Sequence, residues 1–232
     1  MRLDALLSRY GFCSRKESAQ WIKRGRVVID GQPAGSPSQK ATPEQVLVDG
    51  APIPFPQGLY VAFYKPLNAT CSHNTESGEL IYDYLPDQWM QRNPVVTSVG
   101  RLDKNTEGLL LMTDDGQFVH RMTSPKHHVP KLYELTTEEN IPPSSVELFA
   151  SGTLMLEGER SPCHPAKLVI MEPRHATIEL TEGRYHQIRR MLDYVGAPVA
   201  TLKRIAIGEM TLESLQLKPG EWVEFAHDFF HS

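Results

Sequence analysis

A short apolar run near the middle of the chain constrains the fold more than any other feature. Residues 109–112 (LLLM) form a continuous apolar stretch, which is typical of a strand that is buried on both faces. Asp103 lies shortly before this run, and Arg101 lies two residues before Asp103. A carboxylate beside a buried strand is partly withdrawn from water, which favours a nucleophile or a base. The residues alone also allow a structural role, because neighbouring arginine and aspartate residues mostly cap turns or form ion pairs.

The composition excludes several classes of protein. No apolar run in the 232 residues reaches the roughly 18 residues that a membrane-spanning helix needs. Charged residues occupy the first positions, where a secretory signal would be apolar, so we expect a cytoplasmic protein. Cys13, Cys71 and Cys163 are widely spaced and form no C-x-x-C pattern. They predict free thiols, with neither a disulfide framework nor a metal site.

The charge is distributed unevenly along the chain. Residues 1–45 contain eight lysines and arginines against four acidic residues, whereas the whole chain contains 24 against 28. Five of these cations lie close together and are candidates for contacts with RNA phosphates: Arg15, Lys16, Lys23, Arg24 and Arg26. A solvated helix face is the alternative interpretation of the same cluster.

Local signals divide the chain into a small unit and a larger one. Leucines at helical spacing predict a helix over residues 3–10, and an S-x-x-E capping box predicts a second from residue 14 to residue 24. Residues 26–34 contain an Asp-Gly turn pair and predict a β-hairpin. Three prolines in residues 51–58 predict an extended spacer. We therefore expect domains at residues 1–50 and 59–232.

The larger unit alternates strand signals with fewer helix signals. The predicted strands cover residues 59–64, 95–99, 109–113, 132–136, 167–171 and 176–180, and the predicted helices cover residues 116–123, 144–151 and 185–195. Strands with short connections and interspersed helices predict an α+β domain, built on a mainly antiparallel mixed sheet that helices flank.

Three ordered motifs carry a family resemblance. The segment R-L-D followed by T-x-G-L-L-L begins at residue 101, K-L-Y occupies residues 131–133, and G-R-Y-H-Q-I-R-R-M occupies residues 183–191. In this order they resemble the motifs of the RsuA-type pseudouridine synthases. The two helices and the hairpin at the start of the chain resemble the S4-type RNA-binding module that these enzymes carry.

The resemblance implies an isomerisation of uridine in RNA, which needs neither a cofactor nor a metal. Asp103 is then expected to be the covalent nucleophile, at either the ribose or the base. Arg189 is expected to pair with its charge, because an isolated carboxylate in a dry pocket loses its charge; Arg190 is the competing candidate. Ile188 would form an apolar wall, and Tyr133 would stack on the uracil and assist proton removal.

Other residues are expected to bind the substrate. The target uridine must be flipped or unpaired to reach a partly buried carboxylate. Arg101 would fill the space that the base vacates or bind the phosphate of the flipped nucleotide. Lys131, Arg184, His186 and Lys65 are further candidates for phosphate contacts.

The expected substrate is ribosomal RNA. The G-R-Y-H-Q form of the third motif resembles the small-subunit enzymes, which predicts a 16S uridine of the uridine-516 type, within an assembly intermediate and acted on by a monomer. Large-subunit (23S) RNA is one alternative, and a non-catalytic S4 protein that assists ribosome assembly is another. A base-removing enzyme that uses Asp103 with Asp114 or Asp115 as paired carboxylates is a third.

Overall fold

Two β-sheets with flanking helices make up the described part of this computed structural model, which comprises residues 1–74, 76, 78–124 and 127–230. The α-helices α1 to α7 span Leu3–Arg9, Ser18–Lys23, Asp87–Met90, Gly116–Thr123, Ser144–Ala150, Gln187–Tyr194 and Leu212–Leu215. The strands β1 to β13 span Val27–Ile29, Gln32–Pro33, Val46–Val48, Ala51–Pro52, Tyr60–Lys65, Thr97–Ser98, Glu107–Thr113, Lys131–Thr137, Lys167–Glu172, His175–Leu180, Val199–Ile207, Met210–Thr211 and Trp222–Glu224. No helix in these ranges is long and apolar enough to cross a membrane.

The N-terminal unit packs α1 and α2 against a small sheet with the strand order β2-β1-β3-β4. The leucines of α1, spaced to share one face, are buried against β1 and β3. At the tip of the β1–β2 hairpin, Asp30 and Gly31 have φ angles of 48° and 77°. Two-residue hairpin turns of this kind require positive φ at both positions. The predicted hairpin is therefore confirmed.

The second helix begins later than its capping box predicts. The Ser14 hydroxyl accepts a hydrogen bond from the Glu17 N–H at 3.3 Å, and the Ser14 N–H donates to the Glu17 carboxylate at 2.9 Å. The reciprocal box is thus present, but residues 15–17 form a turn and regular helix starts at Ser18. The basic side chains of this segment consequently lie partly on a turn.

The larger sheet has the strand order β13-β5-β7-β11-β8-β10-β9; the short strands β6 and β12 pair with β7 and β11 respectively. Within the described ranges its pairings are antiparallel except for β7 with β11, which run parallel. Both faces of β7 are covered: Leu110 and Met112 join one apolar core, while Leu109 and Leu111 join another. This confirms the sequence prediction of a strand that is buried on both faces.

Several predicted boundaries differ from the observed ones. The strand predicted at residues 95–99 is reduced to Thr97–Ser98. The helix predicted at residues 185–195 begins at Gln187, because His186 has a left-handed φ of 49°. Strand β11 is absent from the predicted elements, although it lies at the centre of the sheet. Lys203 and Arg204 interrupt its apolar pattern and conceal it.

The proline-rich segment at residues 51–58 is packed over part of its length. Ala51 and Pro52 form β4 and extend the small sheet, and Ile53 is buried in the N-terminal core. The Tyr10 hydroxyl donates to the carbonyl of Pro56 at 2.7 Å. The first residues of the predicted spacer therefore belong to the N-terminal unit, and the exact domain boundary stays a prediction.

A buried ion pair lies where the two units meet. Arg92 donates from Nε to the Asp114 carboxylate at 2.8 Å, and their side chains are 1% and 2% exposed. The same guanidinium lies 4.9 Å from the Tyr10 ring, and the other carboxylate oxygen of Asp114 accepts from the Leu59 N–H. Asp114 thereby joins the start of β5 to the end of β7, and Arg92 joins both to α1.

We expect Asp114→Asn to lower the free energy of unfolding by about 3–5 kcal/mol, because it leaves the Arg92 charge buried without a partner. Asp49→Asn is the matched control: Asp49 pairs with Arg26, but its side chain is 50% exposed. The control change should cost at most about 1 kcal/mol. Denaturant titration of both variants measures the difference, and similar losses in the two variants would contradict the importance of burial.

Candidate active site

The motif residues meet in one open cavity. It has a volume of about 310 Å³, and its walls come from the loop of residues 100–106, from the start of β8, from β11 and from the N-terminal part of α6. The loop of residues 100–106, hereafter the Asp103 loop, contributes Asp103, whose side chain is 36% exposed. The imidazole Nε2 of His186 lies 3.5 Å from the Asp103 carboxylate.

Backbone carbonyls of the Asp103 loop are held by cationic side chains. Lys65 is buried, and its ammonium donates to the carbonyls of Thr106 at 2.7 Å and Pro66 at 3.0 Å, with Lys104 at 3.5 Å. Burial lowers the pKa of Lys65, while nearby negative groups that include Asp103 oppose the shift. Lys65 is therefore unavailable for the phosphate contact predicted from sequence; it fixes the loop instead.

The two arginines of the third motif point in different directions. Arg189 lines the cavity and donates to the carbonyls of Asn105 at 2.9 Å and Val199 at 3.3 Å. Arg190 lies outside the lining and pairs with Glu159 at 2.8 Å. The predicted ion pair between Arg189 and Asp103 is absent among the described residues. Arg189 instead holds the backbone of the loop that carries Asp103.

Two further cations, Arg204 and Lys131, line the cavity together with Tyr133. Arg204 on β11 is opposite Tyr133 on β8, and one of its guanidinium nitrogens lies 3.5 Å from the phenol oxygen. Its Nε donates to the carbonyl of Leu109 at 2.7 Å, while its buried Nη2 has no hydrogen-bond partner among the described residues. Burial, reinforced by the charge of Arg204, lowers the pKa of Lys131 to about 8.

Sequence reasoning missed Arg204 because β11 was not recognised as a strand. The sequence gives little signal for it, because Lys203 and Arg204 interrupt the apolar pattern; the folded strand shows that Leu202, Arg204 and Ala206 are all buried. A charged residue on the buried face of a strand is uncommon and points to a site.

The remaining predicted substrate ligands occupy different positions in the cavity. Ile188 is buried in the wall, as an apolar surface against a base requires, and Arg101 is exposed at the rim. Arg184 is already engaged: it pairs with Glu182 at 3.1 Å and donates to the carbonyls of Ser161 and Pro162. Its predicted contact with substrate phosphate is therefore replaced by a structural role.

The paired-carboxylate alternative does not match the geometry. The Asp114 carboxylate already forms an ion pair with Arg92 at the junction of the two units. Asp115 caps α4 by accepting from the N–H groups of Gln117 and Phe118 at 2.8 and 3.2 Å. Neither residue lines the cavity that contains Asp103. The described residues also include no cluster of three or more histidine, cysteine or acidic residues that would suit a metal ion.

The N-terminal cations form an exposed surface on α2 and the turn before it. Lys16, Lys23 and Arg24 are exposed, and Arg15 is exposed although it also approaches Asp4 at 3.4 Å. Arg26 differs, because it forms a two-pronged ion pair with Asp49 at 2.8 and 2.5 Å and lies over the Trp21 ring. Because Asp49 neutralises the charge of Arg26, the other four cations remain the candidates for the predicted phosphate contacts.

Comparison with known proteins identifies the class. A family model described as RNA pseudouridylate synthase matches residues 59–194, and the S4 domain model matches residues 1–50. The chain belongs to the RNA pseudouridylate synthase family and carries an N-terminal S4 domain. This confirms the predicted family and the α+β fold.

Individual relatives are similar along almost the whole chain. Identity is 39% to the ribosomal small subunit pseudouridine synthase A of Yersinia pestis, over 96% of this chain and 93% of that protein. It is 37% to the protein of the same name from Escherichia coli strain K12, over 96% and 95%. A solved structure described as a pseudouridylate synthase has a TM-score of 0.68 at 31% identity and covers 100% of this chain and 98% of its own.

The lowered pKa of Lys131 predicts a pH-dependent stability difference from Lys131→Met. The native state releases this proton near pH 8, whereas the unfolded chain retains it up to about 10.5. Between these values the unfolded state binds more protons, so wild-type stability rises with pH relative to the variant. Below pH 8 the difference is constant, and the variant is favoured because it buries no charge. Denaturation at about pH 7 and pH 9.5 tests this, and an unchanged difference would contradict it.

Proposed function

We propose that this pseudouridine synthase converts a uridine of small-subunit (16S) ribosomal RNA to pseudouridine, at a site of the uridine-516 type. The observation that carries the proposal is the position of Asp103, which is partly exposed in an open cavity whose walls also contain Arg101, Arg189 and Arg204. A cavity rich in arginine attracts a phosphate backbone.

The reaction moves one bond and transfers protons, with no net addition of atoms. The bond between ribose C1′ and uracil N1 breaks, the base turns, and a bond from C1′ to C5 forms. The proton on C5 is lost, and N1 gains one. Asp103 acts as a covalent nucleophile, at ribose C1′ or at the base, and holds one fragment while the base turns. The Asp103 loop must therefore keep the carboxylate at a fixed position throughout.

Tyr133 supplies a flat ring beside the path of the base. In the proposed complex the uracil lies between this ring and the apolar wall formed by Ile188, and the phenol oxygen assists the loss of the C5 proton. Arg204 lies 3.5 Å from the phenol oxygen and Lys131 lines the same cavity, so both stabilise negative charge that develops on the base or on the phenol. The buried Nη2 of Arg204 has no hydrogen-bond partner among the described residues, so the guanidinium keeps an unused donor.

The substrate assignment is supported by the names of relatives that match over nearly their full length, since several are called ribosomal small subunit pseudouridine synthase A. The S4 domain supports docking on structured RNA through Arg15, Lys16, Lys23 and Arg24. We also propose that the enzyme acts as a monomer in the cytoplasm, on an assembly intermediate of the small subunit. Large-subunit RNA is the competing substrate class.

Asp103→Asn should abolish turnover while RNA affinity stays within a few fold, because the change preserves size but removes the anionic nucleophile. Asp115→Asn is the matched control, since asparagine keeps the helix cap outside the cavity. Pseudouridine in RNA treated with each purified variant is measured by mass spectrometry. Pseudouridine formed by Asp103→Asn would contradict the assignment of Asp103 as the nucleophile. Free uracil released by the wild type would indicate a base-removing enzyme.

Arg189→Ala should lower kcat by about 100-fold, because the Asp103 loop loses the donor to the Asn105 carbonyl and small displacements of a nucleophile are costly. Arg189→Lys should lower kcat by a smaller factor, since one charged donor remains. Arg190→Ala should leave kcat nearly unchanged and raise KM. Steady-state kinetics separate these effects, and the reverse pattern would show that Arg190 serves the site.

Replacing Arg15, Lys16, Lys23 and Arg24 together by glutamine should weaken binding to small-subunit RNA. The slope of log affinity against log salt concentration should become shallower by roughly 0.7–0.9 for each phosphate contact that is lost. Turnover at saturating RNA should persist, because none of these four residues lines the cavity and each supplies uniform binding. Lys218→Gln is the control for removal of an exposed cation elsewhere. A collapse of kcat with a normal salt slope would refute the docking role.

A further inference from the structure

An exposed aromatic ring stands at the mouth of the cavity without an assigned role. Tyr185 lines the cavity, yet 74% of the residue is exposed. Its ring stacks on that of His186, with 3.8 Å between centroids and 19° between planes. His186 in turn lies 3.5 Å from Asp103. We call this pair the Tyr185–His186 stack.

The backbone beneath the stack is held in place. Arg190 donates to the carbonyl of Tyr185 at 3.1 Å and is itself fixed by Glu159 at 2.8 Å. His186 adopts a left-handed φ of 49°, which a non-glycine residue keeps only where its surroundings impose it. This backbone turn places the imidazole between the Tyr185 ring and the Asp103 carboxylate. The backbone that carries the Tyr185 ring is therefore held in place, and the ring lies in the wall of the cavity that contains Asp103.

The open side of the Tyr185 ring fits a nucleobase. One side of the ring is covered by His186, so the large exposed fraction leaves the rest to solvent. Unpaired bases stack on exposed aromatic rings with little dependence on base identity. When a uridine enters the cavity, the adjacent nucleotides of the RNA strand stay at the mouth of the cavity, where the Tyr185 ring lies.

We propose that the Tyr185–His186 stack binds the unpaired nucleobase next to the target uridine. The inference rests on the proposed function, because it takes RNA as the substrate. It adds a recognition element: the enzyme selects uridines whose adjacent nucleotide in the RNA strand is also unstacked from the RNA helix. Arg190 acts as a positioning residue for this surface, which accounts for its network outside the cavity.

Kinetic measurement gives the first test. With a small-subunit ribosomal RNA transcript, Tyr185→Ala should raise KM by roughly 5- to 150-fold, which is the usual contribution of one stacked base, and keep kcat within about twofold. Tyr185→Phe and Tyr185→Trp should restore KM, whereas Tyr185→Leu should not. Tyr194→Ala is the matched control, because Tyr194 belongs to the adjoining helix α6 and is 63% exposed but lies outside the cavity.

A binding measurement gives a second test that does not depend on turnover. A short single-stranded RNA with 2-aminopurine beside a uridine should lose fluorescence on binding to the wild type, to Tyr185→Phe and to Tyr194→Ala. The fluorescence should stay unchanged with Tyr185→Ala and Tyr185→Leu. Equal quenching by the wild type and Tyr185→Ala, or an unchanged KM in Tyr185→Ala, overturns the stacking proposal.

The two measurements separate failure of the inference from failure of the proposed function. If the wild type does not modify the small-subunit transcript, the substrate assignment fails, and the quenching pattern alone decides whether the stack binds a base. If the transcript is modified and Tyr185→Ala loses kcat while its KM stays normal, the residue shapes the catalytic site and the stacking proposal is wrong.

Discussion

The binding of loop carbonyls by Lys65 and Arg189 is the interaction on which the site depends. A loop that carries the proposed nucleophile needs a fixed backbone, but this loop lies outside the strands of the sheet. Two cations supply side-chain donors to the loop carbonyls: Lys65, at the end of β5, binds the carbonyl of Thr106 at 2.7 Å, and Arg189, on α6, binds that of Asn105 at 2.9 Å. The positive charges that fix the loop also lie near Asp103, so one arrangement serves both geometry and electrostatics.

The cavity tolerates its excess of arginine because most of these side chains bind backbone carbonyls. Arg189 and Arg204 satisfy part of their guanidinium donors with carbonyls of Asn105, Val199 and Leu109, which reduces the cost of burial without removing the charge. Arg184 is different, since Glu182 neutralises it. The positive electrostatic potential in the cavity therefore comes from arginines that bind carbonyls, such as Arg189 and Arg204, and not from those in ion pairs.

Local sequence patterns predicted much of the frame, and tertiary contacts account for what they missed. Helix α4 was predicted with its observed ends, because its signals are local: an aspartate cap and an amphipathic face. Strand β11 was missed, because its buried Arg204 looks like a surface residue until β8 and β7 lie beside it. Lys65 resembled a phosphate ligand in sequence, since only the folded chain shows that loop carbonyls already engage it. The roles assigned to Asp103 and Tyr133 stay predictions.

The junction around Arg92 has a consequence for how the enzyme searches RNA. Because the Arg92–Asp114 pair, the Tyr10 ring and the packed segment after Ala51 join the two units, the S4 surface and the cavity are attached to one another at a set separation. If RNA docks on the exposed cations of α2 as proposed, this connection admits to the cavity only a uridine at the matching distance and angle from the docked segment. Under that proposal, the tertiary shape of the RNA contributes to the choice of target together with its nucleotide sequence.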